Sequence, residues 1–85
     1  MLRLAGLALV LLCACNGIEQ SPECKQYLAC TEAVTPGSSA NYASYADNGS
    51  CWSTDRRSAD QCTAACLQGR QFLASGAGAG KPECQ

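Results

Sequence analysis

Cysteine offers most of the chemistry available to this sequence, because its 85 residues include eight cysteines and no histidine. A thiolate can bind a metal, attack a substrate, accept a lipid or join another cysteine as a disulfide. The absence of histidine removes the usual general base and the imidazole ligand of ordinary zinc sites. The spacings of Cys24 from Cys30 and of Cys62 from Cys66 also differ from the C-x-x-C of zinc and thioredoxin-like sites. We therefore expect no metal site, no cofactor and no enzymatic activity.

Charged residues are few and do not form a recognisable catalytic pattern. Seven carboxylates are scattered along the chain, and no two are predicted to converge as a glycosidase pair. After residue 14 the net charge is −2, from five basic and seven acidic residues, which argues against a nucleic-acid partner. Arg56 and Arg57 form the one charge cluster, and we expect a solvated loop in which they pair in part with Asp55 or Asp60.

The first 14 residues have the pattern of a leader peptide. Arg3 precedes the apolar run 4–12, and nine helical residues span about 14 Å, less than half of a hydrocarbon core of about 30 Å. This length is typical of a signal-peptide core and too short for a transmembrane anchor. We therefore predict that residues 1–14 are a cleaved leader and that the protein acts outside the cytoplasm.

The remainder of the chain has too few large apolar residues for an ordinary core. Only six of residues 15–85 are Leu, Ile, Val or Phe, well below the share of about 20% under which disorder is expected. Disulfides stabilise such a chain by about 2–4 kcal/mol each, and they persist in oxidising compartments. A mainly α, disulfide-stapled miniprotein of two or three helices over residues 22–85 is predicted, preceded by a tether over 15–21.

Two helices and one weaker candidate are predicted. Ser21 as N-cap and Pro22 at the first position indicate a helix over 22–34. The segment 38–47 is either a helix or a loop, and it ends at the turn Asn48-Gly49. Trp52, beside a cysteine, is expected to pack on a disulfide rather than to contact a ligand.

A capping-box pattern from Ser58 to Gln61 indicates a further helix over 59–74 that stops before Gly76. Residues 75–81 are rich in Gly and Ala, and we expect a flexible linker that brings Cys84 back to the body. One stripe of the 59–74 helix is predicted to face the core, and it comprises Cys62, Ala65, Cys66, Gly69, Phe72 and Leu73.

The cysteine pairing stays open at the level of sequence, since six cysteines allow 15 connectivities. If 38–47 is helical, helices 22–34 and 59–74 run parallel, and Cys24–Cys62 with Cys30–Cys66 is favoured. If it is a loop, the helices run antiparallel, and Cys24–Cys66 with Cys30–Cys62 fits better. Both versions join the two helices and leave Cys51–Cys84 to connect the tail to the Trp52 loop.

The end of the leader, Leu12-Cys13-Ala14-Cys15, resembles the lipobox of bacterial lipoproteins, although Cys13 departs from the usual residue at its position. The resemblance implies a lipid anchor on Cys15, and Asn16 in place of the retention signal Asp favours the outer membrane. The alternative is ordinary signal-peptidase cleavage that releases a soluble peptide. Without Cys13 and Cys15 an even number of cysteines remains for disulfides, namely Cys24, Cys30, Cys51, Cys62, Cys66 and Cys84.

The cysteine pattern of residues 15–85 resembles a known group of proteins. It is similar to the pattern of small cysteine-rich lipoproteins of myxobacteria. The likeness lies in four runs, namely C-x2-Y-x2-C from Cys24, G-x-C-W ending at Trp52, A-x2-C-x3-C ending at Cys66 and the final P-E-C. This resemblance implies a membrane-anchored cell-envelope lipoprotein with a structural or interaction role. It is expected to be held by the lipid on Cys15 and to have an envelope protein as its partner.

A secreted disulfide-rich binding peptide, such as a peptidase inhibitor or a toxin-like effector, is the alternative function. It would present a rigid loop over 48–57, with Trp52 and Arg56 or Arg57 exposed for contact.

Overall fold

The computed structural model describes residues 17–85, whose regular elements are all helical. Helix α1 spans Pro22–Val34 and helix α2 spans Arg56–Ala74. Three shorter 3₁₀ segments, here called η1, η2 and η3, span Ser38–Tyr45, Ser50–Trp52 and Pro82–Cys84. This architecture confirms the predicted fold class, a small disulfide-stapled helical miniprotein.

Helix α1 occupies the predicted range, and local sequence signals explain both of its ends. The Ser21 hydroxyl accepts a hydrogen bond from the Cys24 amide at 3.3 Å, and Pro22 occupies the first helical position. After the helix ends, Gly37 adopts a left-handed φ of 88°, which glycine reaches without strain from a Cβ atom. The chain reverses there and enters η1.

Helix α2 begins three residues earlier than predicted. Asp55, rather than Ser58, is the N-cap, and its carboxylate accepts a hydrogen bond from the Ser58 amide at 2.8 Å. The two residues are equally good caps in general, but a carboxylate also interacts favourably with the positive end of the helix dipole. The earlier start adds nearly a full turn to α2 and places Ala59, which is buried, inside the helix.

Helices α1 and α2 run parallel. Cys24 is bonded to Cys66, and three residues further along each helix Tyr27 packs over Gly69. Between the helices η1 returns the chain toward the start of α1, where the Tyr45 carbonyl accepts a hydrogen bond from Gln20 Nε2 at 2.8 Å. The helical return therefore produces the parallel arrangement that was one of the two predicted alternatives.

Disulfide-bonded cysteines make up most of the core. Among residues 17–85, five of the seven buried apolar residues are cysteines, and the other two are Trp52 and Ala59. Thr31 is also buried, and its hydroxyl donates to the Leu28 carbonyl at 2.8 Å. Small side chains allow the two helices to approach closely, with a Cα–Cα distance of 5.0 Å between Cys24 and Cys66. Disulfides thus occupy the positions that leucine and isoleucine fill in larger domains.

Residues 75–81 form a series of packed turns rather than the predicted flexible linker. The Gly78 amide donates to the Leu73 carbonyl at 2.6 Å, and the Lys81 amide donates to the Gly78 carbonyl at 3.0 Å. Gly78 is buried, and a Cβ atom there would lie 2.6 Å from Cys84 Sγ. Glycine is needed at position 78 for close packing. The glycine content of 75–81, which predicted a flexible linker, instead allows the tail to pack against Cys84.

Candidate functional site

Three disulfides connect the elements of the described chain. Cys24–Cys66 joins α1 to α2, Cys30–Cys84 joins α1 to the C-terminal tail, and Cys51–Cys62 joins η2 to α2. Their sequence separations are 42, 54 and 11 residues, respectively. Every element from α1 to η3 except η1 is therefore covalently linked to another.

This pairing corrects part of the prediction. A bond between α1 and α2 is present as expected, but it is Cys24–Cys66, which was predicted for antiparallel helices and occurs here between parallel ones. Cys51 pairs with Cys62 and not with Cys84. The tail instead reaches Cys30, which lies about 120° around α1 from Cys24 and so faces a different neighbour. The predicted alternatives assumed that both cysteines of each helix face the other helix, which the angular offset on α1 prevents.

Trp52 lies in the core, as expected for a tryptophan beside a disulfide. Its side chain is 4% exposed and belongs to the same cluster as Cys24, Cys51 and Cys66. Its indole Nε1 donates to the Ala46 carbonyl at 2.9 Å, so burial leaves no polar atom of the ring unpaired. Trp52 therefore stabilises the fold, and it also lines a surface pocket of about 590 Å³ together with Ile18 and Asp47.

Three tyrosines form a second, aromatic cluster between α1 and η1. The Tyr27 ring meets Tyr42 and Tyr45 edge-on at centroid distances of 5.5 and 5.9 Å, a favoured aromatic geometry. Burial of the Tyr27 hydroxyl raises its pKa, and the hydrogen bond and repulsion from Tyr42 raise it further. The hydroxyl thus stays protonated at neutral pH, and the cluster acts as packing between η1 and the helices.

Two carboxylates serve as local caps. Glu32 accepts hydrogen bonds from Ser39 Oγ at 2.7 Å, from the Gly37 amide at 3.0 Å and from the Ser39 amide at 2.9 Å. These bonds lower the pKa of Glu32, and the hydrogen bond from the Ser39 hydroxyl has the largest effect. The bond from the Ser58 amide likewise lowers the pKa of Asp55. Both groups hold the ends of helices in place.

The arginine pair lies on the surface, at the start of α2. Arg56 Nη1 lies 3.6 Å from Asp60 Oδ1 across one helical turn, and both side chains are largely exposed. Exposed pairs of this type contribute little, at most about 1 kcal/mol. The predicted partial pairing with Asp60 is present for Arg56, and Arg57 is exposed, but both arginines belong to α2 and not to the predicted loop.

An apolar groove lies near the C-terminal ends of α1 and α2. Its volume is about 250 Å³. Phe72 stands at its edge with 77% of its surface exposed, which corrects the prediction that it faces the core. Helical geometry places Phe72 about 120° around α2 from Cys66. The sequence therefore contained this signal, but the predicted core-facing stripe of the 59–74 helix was drawn too wide to use it. The groove is lined by Tyr27, Thr31, Val34, Thr35, Ser38, Tyr42, Gly69, Phe72 and Leu73.

The opposite end of the helix pair holds the start of the described chain. The Ile18 amide donates to the Trp52 carbonyl at 3.3 Å, and Ile18 packs against the core cluster. Of the predicted tether over 15–21, the part from residue 18 onward is therefore attached to the body. The predicted leader over 1–14 and the lipidation site Cys15 lie outside the described residues.

Within residues 17–85 no group of three or more His, Cys, Asp or Glu side chains is arranged to hold a metal ion. No helix in that range is long and apolar enough to cross a membrane. Comparison with known proteins found no match to a protein-family model, to a curated protein or to a solved structure.

Proposed function

We propose that this protein is a cell-envelope lipoprotein, anchored through Cys15, with a structural or interaction role and no catalytic activity. The observation that carries the proposal is the core of the described part of the chain, in which five of seven buried apolar residues are cysteines joined in disulfides. Such a core requires an oxidising compartment to form and persist. This requirement agrees with an exported protein whose leader ends in the lipobox-like 12–15.

The attachment of residues 18–20 to the body supports a short anchor. Only Asn16 and Gly17 separate Cys15 from Ile18, whose amide is bonded to Trp52. The three residue steps from Cys15 to Ile18 span at most about 11 Å, so a lipid on Cys15 would hold the Trp52 end of the domain close to the membrane surface. The proposed localisation is the outer membrane.

The apolar groove supports an interaction role. Phe72, which is 77% exposed, lies beside a groove lined by Val34 and Leu73, so the three side chains form one continuous apolar surface of the kind that marks interaction sites. The groove lies at the C-terminal ends of the helices, away from Ile18. In an anchored molecule this surface would point away from the membrane, toward an envelope partner.

The polar side chains support a non-catalytic role. Glu32 and Asp55 are occupied in capping, and Arg56 is paired with Asp60. The secreted binding peptide considered as an alternative would present Trp52 together with Arg56 or Arg57. Both arginines are exposed, but Trp52 is 4% exposed, so the aromatic part of that contact surface is missing. The anchored lipoprotein is therefore the better proposal.

The anchor is tested by intact-mass analysis after membrane fractionation. We expect a mature chain that begins at Cys15 and carries acyl mass, and Cys15→Ala should abolish acylation and membrane retention. Cys13→Ala is the matched control, because alanine is common at that lipobox position and should leave acylation intact. An unacylated chain in the soluble fraction would reject the anchor.

The interaction surface is tested by placing a photo-crosslinking residue at position 72 in the native envelope. Position 53, exposed at the opposite end, serves as the control. We expect a protein adduct from position 72 that is absent from position 53 and is lost when Val34→Lys puts a charge in the groove. Equal adducts from both positions, or none from position 72, would reject the interaction role.

A further inference from the structure

The three disulfides differ in how easily a thiol could reach them. Cys24, Cys66, Cys30 and Cys84 are all 0% exposed, so two of the bonds are sealed inside the fold. The third bond differs, because Cys51 is 4% exposed and its partner Cys62 is only half-buried. Disulfide exchange requires direct attack of a thiolate on sulfur, so accessibility controls which bond reacts.

An open groove leads to this third bond. Its volume is about 450 Å³, and both Cys51 and Cys62 line it. Its other lining residues are uncharged, so an incoming thiolate meets no carboxylate in the groove. These residues are Ser44, Tyr45, Ser50, Thr54, Ser58, Gln61 and Ala65.

Loss of the Cys51–Cys62 bond should also destabilise the fold least. It closes a loop of separation 11, against 42 and 54 for the other two bonds. In the chain-entropy model a shorter loop stabilises the folded state less. The other two bonds still join α1 to α2 and to the tail when this one is open, so the helix pair survives.

We propose that Cys51–Cys62 is a thiol–disulfide exchange site, opened selectively by a dithiol of the Cys-x-x-Cys oxidoreductase class. One thiolate of the dithiol attacks Cys62 Sγ, the S–S bond breaks, and the electron pair leaves on Cys51 Sγ, which takes a proton. The second thiol of the dithiol then loses its proton and attacks the mixed disulfide, and Cys62 leaves as a thiolate and is protonated. The dithiol is oxidised to a disulfide, and the cysteine pair is reduced by two electrons and two protons.

Opening this bond has a structural consequence at Trp52. Cys51 is the neighbour of Trp52 in η2, and the bond to Cys62 ties η2 to α2. After reduction, η2 is held by the Trp52 indole and by the bond from Ile18. Exchange at this site therefore loosens the Trp52 end of the domain, where Ile18 is also bound.

The site is independent of the lipid anchor and can be tested on the exported full-length protein, purified without reductant. Stepwise addition of dithiothreitol, followed by alkylation and peptide mapping, should label Cys51 and Cys62 together. Their labelling should require at least about tenfold less dithiol than that of the other four cysteines. Simultaneous labelling of all six, or earlier labelling of a buried pair, would overturn the proposal.

The direction of attack and the link to Trp52 have separate readouts. A thioredoxin-type protein that lacks its second cysteine should be trapped as a mixed disulfide on Cys62, and trapping on Cys51 would overturn the assigned step. Acrylamide quenching of Trp52 fluorescence should increase as the pair is reduced, while circular dichroism retains the helices. Unchanged quenching after complete reduction of the pair would overturn the structural consequence.

Discussion

Gly78 lies directly beneath the sulfur of Cys84. A Cβ atom at position 78 would come within 2.6 Å of Cys84 Sγ and 2.9 Å of the Leu73 carbonyl oxygen. The disulfide fixes the first of these neighbours and the helix end fixes the second, so neither can move away easily. The close contact allows the tail to fold back onto the helix pair.

Replacing Gly78 with alanine should therefore destabilise the protein by about 1–3 kcal/mol, the usual cost of overpacking. Gly76→Ala is the matched control, because the nearest atom to its added Cβ is the Phe72 carbonyl oxygen at 3.6 Å, an ordinary contact. Thermal unfolding without reductant measures both variants. Equal melting temperatures for the two would contradict the packing described here.

Removing the disulfides one at a time should give a defined order of stability. From loop length, the Cys30→Ser/Cys84→Ser variant should lose about 4 kcal/mol and the Cys51→Ser/Cys62→Ser variant about 3 kcal/mol. Denaturant unfolding gives the two free energies. A larger loss from the shorter loop would show that strain or packing, not chain entropy, sets the contribution of these bonds.

Trp52→Phe should cost about 1–3 kcal/mol, since it removes an indole hydrogen bond, leaves the Ala46 carbonyl without that donor and opens a small cavity. Phe72→Leu, at an exposed position, should change the free energy of unfolding by less than about 0.5 kcal/mol. The comparison is made by denaturant titration followed by circular dichroism. An equal loss in both variants would contradict the assignment of Trp52 to the core and Phe72 to the surface.

The protein should become less stable in acid because of Glu32 and Asp55. Their hydrogen bonds lower both pKa values in the folded state, so their contribution is present above the unfolded pKa values and is lost as pH falls through the folded ones. Glu32→Gln/Asp55→Asn removes both titrating groups. The amide oxygen of Asp55→Asn still accepts from the Ser58 amide, whereas Glu32→Gln keeps only one of two accepting oxygens, so this variant should be less stable at neutral pH. Melting temperatures measured from about pH 5 downward should fall less steeply in this variant than in the wild type.

Equal acid slopes in wild type and variant would assign the pH dependence to other groups. Circular dichroism at neutral pH is the control for this experiment, because both proteins must retain the same helix content before their slopes are compared.

Much of the local structure was accessible from sequence. The Ser21-Pro22 signal predicted helix α1 over its full range, because caps act through neighbouring residues alone. The scarcity of large apolar residues predicted a disulfide core for a similar reason, since it depends only on composition. The start of α2 was harder to predict, because Asp55 and Ser58 both qualify as caps and the sequence does not rank them.

The connections between elements depended on tertiary structure. The sequence identifies the six cysteines of residues 22–85 but not their partners. Cys30 pairs with Cys84 because the C-terminal tail folds back against the side of α1 on which Cys30 lies. The exposure of Phe72 likewise depends on which flank of α2 is covered, since Phe72 lies about 120° around the helix from Cys66, away from the bond to α1. Composition, caps and helical period act over a few residues, and so sequence alone determined the helices and the need for disulfides. Pairing and exposure arise from contacts between distant segments, which the tertiary structure decided.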